Sequence, residues 1–153
     1  MSYIDKNLLP DERICFRTRK HLIIFFFPVA WTLFSIYLDT LMKTNIFLAK
    51  VAWAPWLVAL IYWLYIWLEY ITAEFAVTDK RVMMREGFFH LHMNETRLSA
   101  ISQVNVNQGI LGRIFNFGMV SINAFGAYDA FTLIAQPLNF QNQVNQQIDK
   151  VAK

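Results

Sequence analysis

Apolar residues run almost unbroken through Leu22–Met42 and again through Val51–Ile71, joined by the short link Lys43–Lys50. Each run is about 21 residues, or roughly 31 Å as a helix, close to the thickness of a bilayer's hydrocarbon core. Backbone in lipid must satisfy its own hydrogen bonds, so each run is expected to be helical. The short link makes the two antiparallel neighbours. Residues 22–71 therefore read as an integral membrane α-helical hairpin. Pro28 is expected to bend the first helix. Pro55 falls in the first turn of the second, where a missing N–H is tolerated.

Residues 1–21 have a different pattern. Ile14, Phe16 and Thr18 alternate with Arg13, Cys15, Arg17 and Arg19. Period two points to a short extended segment. Two compatible readings follow: a strand that adds to the domain after the hairpin, or a basic arm held against anionic headgroups at about 1 kcal/mol per cation.

From Glu74 onward, short alternating stretches are separated by turn residues. Phe75–Thr78, Arg81–Arg85, Thr96–Ser99, Ile101–Asn107, Met119–Ala124 and Phe131–Ala135 read as strands. Val104 and Val106 alternate with Gln103, Asn105 and Asn107, the mark of a half-buried antiparallel strand. Gly109 and Gly112 predict a turn. After Pro137, the apolar residues Phe140, Val144, Ile148 and Val151 recur with helical spacing and predict an amphipathic helix that closes one end of the sheet. Residues 72–153 are thus expected to form one mostly-β domain with a C-terminal helix.

Composition agrees with this division. The 153 residues are 56% hydrophobic and only 16% charged, against roughly 25% charged in an average soluble chain. The net charge of +3 matters less than its placement. Arg17, Arg19 and Lys20 precede the first span, and Lys80, Arg81 and Arg85 follow the second. The link carries only Lys43 and Lys50. Cationic flanks stay on the cytoplasmic side, so both termini are expected inside. Residues 72–153 carry seven basic and six acidic groups with no basic stripe, so nucleic acid is a poor partner.

Asp39 and Glu69 lie near opposite ends of the hairpin and are not expected to pair; neither is at the midplane, where an ion-conducting acid would sit. Trp56, Leu60, Trp63 and Trp67 share one helix face at spacings of four, three and four, a candidate packing seam. No small-residue seam stands out in either span. No cleavable signal peptide is legible, because the first run is long and starts late.

Little in the chain resembles reaction chemistry. The single cysteine, Cys15, excludes an internal disulfide and a thiolate cluster, and reads as a small residue in a partly buried strand. His90 and His92 lie on one side of an extended segment. Zinc would need a third ligand, for which Glu86 or Glu95 is the candidate. Two histidines in a loop more often mean nothing, and no metal or cofactor is expected. No nucleophile triad, phosphate loop or paired-carboxylate spacing appears, so an enzyme is the least expected class.

Two stretches resemble the bacterial pleckstrin-homology-like domains that flank membrane hairpins. One is Phe75-Ala76-Val77-Thr78-Asp79-Lys80-Arg81-Val82 followed by Arg85-Glu86-Gly87, with Phe75 where tyrosine is usual. The other runs from Leu98 to Gly118 through Val104-Asn105-Val106-Asn107-Gln108 and Leu111-Gly112-Arg113-Ile114-Phe115. There Asn116 replaces the first glycine of the usual pair, and asparagine also tolerates positive φ. The proline-led final helix and Arg19-Lys20-His21 fit as well. The resemblance implies a strongly bent antiparallel sheet of about seven strands capped by the C-terminal helix. It also implies a bacterial cytoplasmic membrane setting, a tendency to homo-oligomerise and no uniform enzymatic activity.

The leading expectation is a membrane-anchored scaffold that self-assembles or recruits another membrane protein. Gln103, Asn105 and Asn107 would form its assembly edge, and Arg113 would be a loop contact or a strand-bridging arginine. The rival is an anionic-lipid sensor using Lys80, Arg81 and Arg85, with Arg19 and Lys20 as further headgroup candidates. A small channel or transporter subunit is the third class, and would depend on Asp39 or Glu69.

Overall fold

The computed structural model describes residues 3–88 and 91–151. The chain divides into two units. One is Leu22–Tyr70; the other joins Met1–His21 to Ile71–Lys153.

In the strand unit, a helical turn α1 (Tyr3–Lys6) precedes β1 (Ile14–Thr18). After the hairpin come β2 (Glu74–Thr78), β3 (Arg81–Glu86), β4 (His92–Arg97) and β5 (Ile101–Asn107). A short helix α5 (Ile110–Phe115), β6 (Phe117–Ala124), β7 (Ala127–Ala135) and α6 (Pro137–Val151) complete it. The helices between, α2 (Phe26–Lys43), α3 (Ile46–Ala49) and α4 (Ala54–Thr72), belong to the apolar hairpin.

The strands form two antiparallel sheets, β1-β2-β3-β4 and β5-β6-β7. The first strand therefore comes from before the hairpin: Thr18 pairs with Phe75 and Arg17 with Ala76. The same strand then crosses to the other sheet. The N–H of Ala135 donates to Arg19 O, that of His21 donates to Leu133 O, and Lys20 bridges Ile134. One segment thus stitches both sheets together at a corner.

The core lies between the sheets and under α6. Phe75, Val82, Leu98, Val120, Phe131, Ile134, Phe140 and Val144 are fully buried there. Each fully buried side chain of this size contributes about 1.5–3 kcal/mol. Helix α6 packs on β1, β2, β5 and β6, so it covers the end expected from its periodicity. Its inner stripe is Phe140, Val144 and Gln147, with Ile148 partly buried and Val151 exposed. The stripe turns toward Gln147 because an α-helix gains 100° per residue, so a strict four-residue step drifts off the face.

Strand β2 is buried at every position, including its outward face. The cover is the N-terminal segment: Ile4 packs with Ala76 and Met83. Asp5 pairs with Arg17. Ile4 and Asp5 are therefore fastened to the sheet. The extended segment expected from the alternation is the strand β1. Cys15 faces outward from β1 and is exposed, not partly buried. The strand expected at Thr96–Ser99 begins earlier, at His92, and stops at Arg97 where a 3-10 turn (Leu98–Ala100) drives Leu98 into the core.

The turn expected at Gly109 and Gly112 is a full helical turn. A Cβ on Gly112 would lie 2.5 Å from Phe117 O, so the glycine lets α5 press onto the start of β6. Asn116 ends α5 in the left-handed conformation (φ 58, ψ 48), as its place in the motif predicts.

In the hairpin unit, two helical stretches, Leu22–Lys43 and Ile46–Thr72, are long and apolar enough to cross a membrane, with mean hydropathies of 1.8 and 1.7. The second stretch starts five residues earlier than the sequence pattern indicated, because Asn45 caps the single turn α3, accepting from the N–H of Phe47 at 3.0 Å. The chain enters through a 3-10 turn, Leu22–Phe25, and Pro28 sits in the first turn of α2, where no hydrogen bond is lost.

Of the aromatic stripe, Trp63 makes the contacts across the pair although it is 36% exposed: its indole N–H donates to Thr32 Oγ1 at 2.9 Å and its ring stacks on Phe25. Trp56, Leu60 and Trp67 are largely exposed. The buried positions are instead Ile24, Pro28 and Ser35 on one stretch, and Ala52, Ala59 and Ile66 on the other. Small side chains let helix backbones approach, and the Ser35 hydroxyl lies 3.3 Å from Pro55 O.

Candidate functional site

The register defines two ends of the strand unit. At one end lie Thr18–His21, Glu74, the β3–β4 loop beginning at Glu86, the end of β5, the start of β6 and the end of β7. Here the chain leaves for the hairpin at His21 and returns at Ile71. At the opposite end lie the Asp79–Lys80 turn, the 3-10 turn and the β6–β7 turn around Phe125 and Gly126.

This division separates the cations that sequence proximity groups together. Lys80 and Arg81 follow the second apolar stretch closely in sequence, but β2 carries them to the far end; five extended residues cover roughly 17 Å. Arg81 is occupied there. Its Nε lies 3.0 Å from Glu12 Oε1 and its Nη2 3.1 Å from Glu12 Oε2. It also donates to Glu95 and, at 2.7 Å, to Asn7 O. Lys80 Nζ donates to Pro10 O at 3.0 Å.

The Glu12 side chain is completely buried. Burial pushes its carboxyl up, but the Arg81 guanidinium, the Leu9 N–H and the Thr78 hydroxyl together hold it below its ordinary value. Arg81 is correspondingly raised, first by its hydrogen bond to Glu12, against the opposing effect of burial. This cluster fastens the N-terminal segment to the β2–β3 turn. A phosphate would have to displace Glu12 to reach Arg81.

Arg85 and Lys20 are at the exit end, and both are inward. Arg85 is half-buried in β3, and Lys20 is buried with its ammonium 3.3 Å from Glu86. Arg19 remains exposed.

Gln103 and Asn105 are exposed on the edge strand β5 and bond to each other at 2.8 Å. That edge is partly blocked, since Gln141 from α6 donates to Val104 O at 2.7 Å. Asn107 and Arg113 do come together. With Val106, Gln108, Asn116 and Leu138 they line an open concavity of about 610 Å³ at the exit end. Gln108 forms its floor, donating to Gly112 O and Phe117 O. Arg113 is exposed and bridges no strands.

The sequence reading missed what surrounds Arg113. Ile110, Leu111, Ile114 and Phe115 on α5 are 82%, 62%, 68% and 51% exposed. The signal was present as an apolar pair repeated four residues later, but two glycines made it read as a turn.

Of the histidine pair, His90 lies outside the described residues. His92 is 3.6 Å from Asp129, which also accepts from Asn94. Among the described residues no three metal-ligating side chains cluster. In the hairpin, Asp39 is 2.6 Å from Lys43, one turn along the same helix.

No curated protein matches the sequence. Among solved structures, a DUF1696 family protein with a pleckstrin-homology domain from Shewanella loihica PV-4 is similar at 15% identity. Its TM-score is 0.40, over 52% of this chain and 73% of that one. The family model described as "Bacterial PH domain" matches residues 24–148, and the chain belongs to that family.

Proposed function

We propose that the protein is a membrane-anchored, non-catalytic PH-like module whose hairpin crosses the cytoplasmic membrane twice. It holds the strand unit at the cytoplasmic face, where the unit self-assembles or recruits a membrane protein. The observation that carries this is the exposure of the two apolar stretches: only 17% of each most apolar window is buried. A core helix of a water-soluble protein with that composition would be mostly buried, because the exposed apolar surface would be costly in water. Lipid is the solvent that removes the cost. The cationic residues flanking the hairpin, against Lys43 and Lys50 in the link, favour termini on the inside.

Lipid sensing through Lys80, Arg81 and Arg85 has less support, since Arg81 is held by Glu12 and Arg85 is half-buried. Transport through Asp39 or Glu69 has less still, because the Asp39 carboxylate is paired with Lys43.

The single cysteine makes the topology testable without engineering. Cys15 is exposed on the strand unit. A membrane-impermeant maleimide added to intact spheroplasts should leave it unlabelled and label it after permeabilisation. In a Cys15→Ser, Asn45→Cys variant, the link should label from outside. Labelling of Cys15 in intact cells would overturn the orientation. Extraction of the protein by alkaline carbonate would overturn the anchoring. Native mass measurement of the detergent-solubilised chain decides self-assembly, and a monomer at all concentrations would remove it.

A further inference from the structure

We infer that α5 is a second membrane-contacting element, which inserts Ile110, Leu111, Ile114 and Phe115 into the leaflet that the hairpin enters and offers Arg113 to lipid phosphates. The inference rests on the proposed membrane anchoring and adds a site to it.

Three observations lead to the bilayer as occupant. The first is exposure. Four large apolar side chains on one six-residue helix are more than half exposed; Phe88, Leu91, Phe125, Tyr128 and Leu138 are exposed elsewhere in the strand unit, but none of the unit's other helices or strands groups four of them. Among the described residues of the strand unit, none buries them.

The second is position. His21 is the last residue before the apolar hairpin, with no linker between it and Leu22. Its ring stacks on Phe117 with centroids 5.3 Å apart. Phe117 follows Asn116, the residue that caps α5. Gln136 N–H donates to Asn116 O, and Thr18 donates to Ala135 O at 2.7 Å, so α5 is tied to the exit strand by hydrogen bonds. A helix of six residues is only about 9 Å long. If Leu22 begins a span, α5 is within reach of the interfacial layer, which is roughly 5–8 Å deep on each side of the hydrocarbon core.

The third is chemistry. Arg113 is exposed among the four apolar residues, beside Asn107 and Asn116. An arginine flanked by large apolar side chains suits the boundary where acyl chains meet phosphates, since the stem lies in the apolar layer and the guanidinium reaches the headgroup. Gly112 and Gln108 hold the helix down on β6, so it presents its apolar side without being free to fold it away.

The test uses the full chain in liposomes containing phosphatidylglycerol, with Cys15→Ser as background. An environment-sensitive fluorophore is attached at Ile114→Cys, at Phe125→Cys on the opposite end, or at Leu60→Cys on the exposed side of α4. Lipids carrying a nitroxide on the acyl chain are the quencher. Insertion of α5 predicts that the label at 114 loses most of its fluorescence to shallow nitroxide, that the label at 125 loses none, and that the label at 60 responds to deep nitroxide.

Quenching at 60 without quenching at 114 overturns the α5 proposal and leaves the anchor standing. Absence of quenching at 60 overturns the anchor and the α5 proposal with it. A label at 114 that is shielded from water yet unquenched by lipid also overturns it, in favour of a second copy of the chain on this surface. Arg113→Gln should lower quenching at 114 more in anionic than in neutral vesicles; an equal effect in both would remove the phosphate contact.

Discussion

Glu12 and Arg81 meet side-on, with Nε to Oε1 at 3.0 Å and Nη2 to Oε2 at 3.1 Å, across 69 residues of sequence and the whole hairpin. The pair closes a circuit: the segment before the hairpin is locked to the first turn after it. Thr78 adds a hydrogen bond at 2.7 Å, and the Leu9 N–H another at 2.7 Å.

Removing Arg81 leaves a buried carboxylate without its counter-charge. Arg81→Ala is expected to cost about 3 kcal/mol, or roughly 6–12 °C in the melting temperature of a domain this size. Arg81→Lys should recover only part of this, because lysine lacks the planar fork that meets both oxygens. Thermal melts of the detergent-solubilised chain are the measurement. Full rescue by lysine would mean the charge matters and the fork does not.

The same pair sets a pH dependence. Glu12 titrates below its ordinary 4.5 in the folded protein. A carboxyl whose folded pKa is lowered stabilises above its unfolded pKa and loses that stabilisation as pH falls through the folded value. The wild-type melting temperature should therefore fall below about pH 4.5 more steeply than that of Glu12→Gln. Parallel curves for the two would exclude Glu12 as a contributor to acid unfolding.

Two glycines three residues apart should behave differently. A Cβ on Gly112 would meet Phe117 O at 2.5 Å, whereas a Cβ on Gly109 meets nothing within 4 Å. Gly112→Ala is expected to destabilise by about 2–3 kcal/mol, since a backbone oxygen cannot rotate out of the way. Gly109→Ala should be near neutral, within about 0.5 kcal/mol. Chemical denaturation of both variants gives the contrast, and equal effects would show that α5 is not pressed onto β6.

Within the hairpin, Trp63 alone among the aromatic stripe makes a defined hydrogen bond across the pair, to Thr32 at 2.9 Å. Trp63→Phe should weaken the hairpin by about 0.6 kcal/mol, the typical value of such a bond in lipid. Trp67→Phe, at an exposed position, should not. Steric trapping or forced unfolding in bicelles resolves differences of this size, and a larger loss for Trp67 would invert the assignment.

Much of this architecture was legible from periodicity. Alternation at Ile14, Phe16 and Thr18 gave a strand, and the period after Pro137 gave the capping helix. Asn116 could be read as a left-handed cap because asparagine is one of the few side chains that tolerates it. The family motifs located β2, β3 and the β5–β6 region. Boundaries were weaker where a turn signal and a helix signal overlapped: Gly112 punctuates the sequence, yet its missing side chain is what lets Ile110–Phe115 form a helix against β6.

The sequence by itself determined the separation into an apolar pair of helices and an alternating domain, because hydropathy and period are local properties that each segment carries alone. Tertiary structure decided which charges are available. Lys80 and Arg81 lie near the second apolar stretch in sequence, but an extended strand moves them to the far end. Lys20 is basic in composition and buried in fact, because β1 must cross between sheets at that residue and Glu86 meets it there. Exposure of α5 was equally invisible: whether an apolar residue is core or surface depends on what the fold places over it, and among the described residues Ile110, Leu111, Ile114 and Phe115 stay exposed.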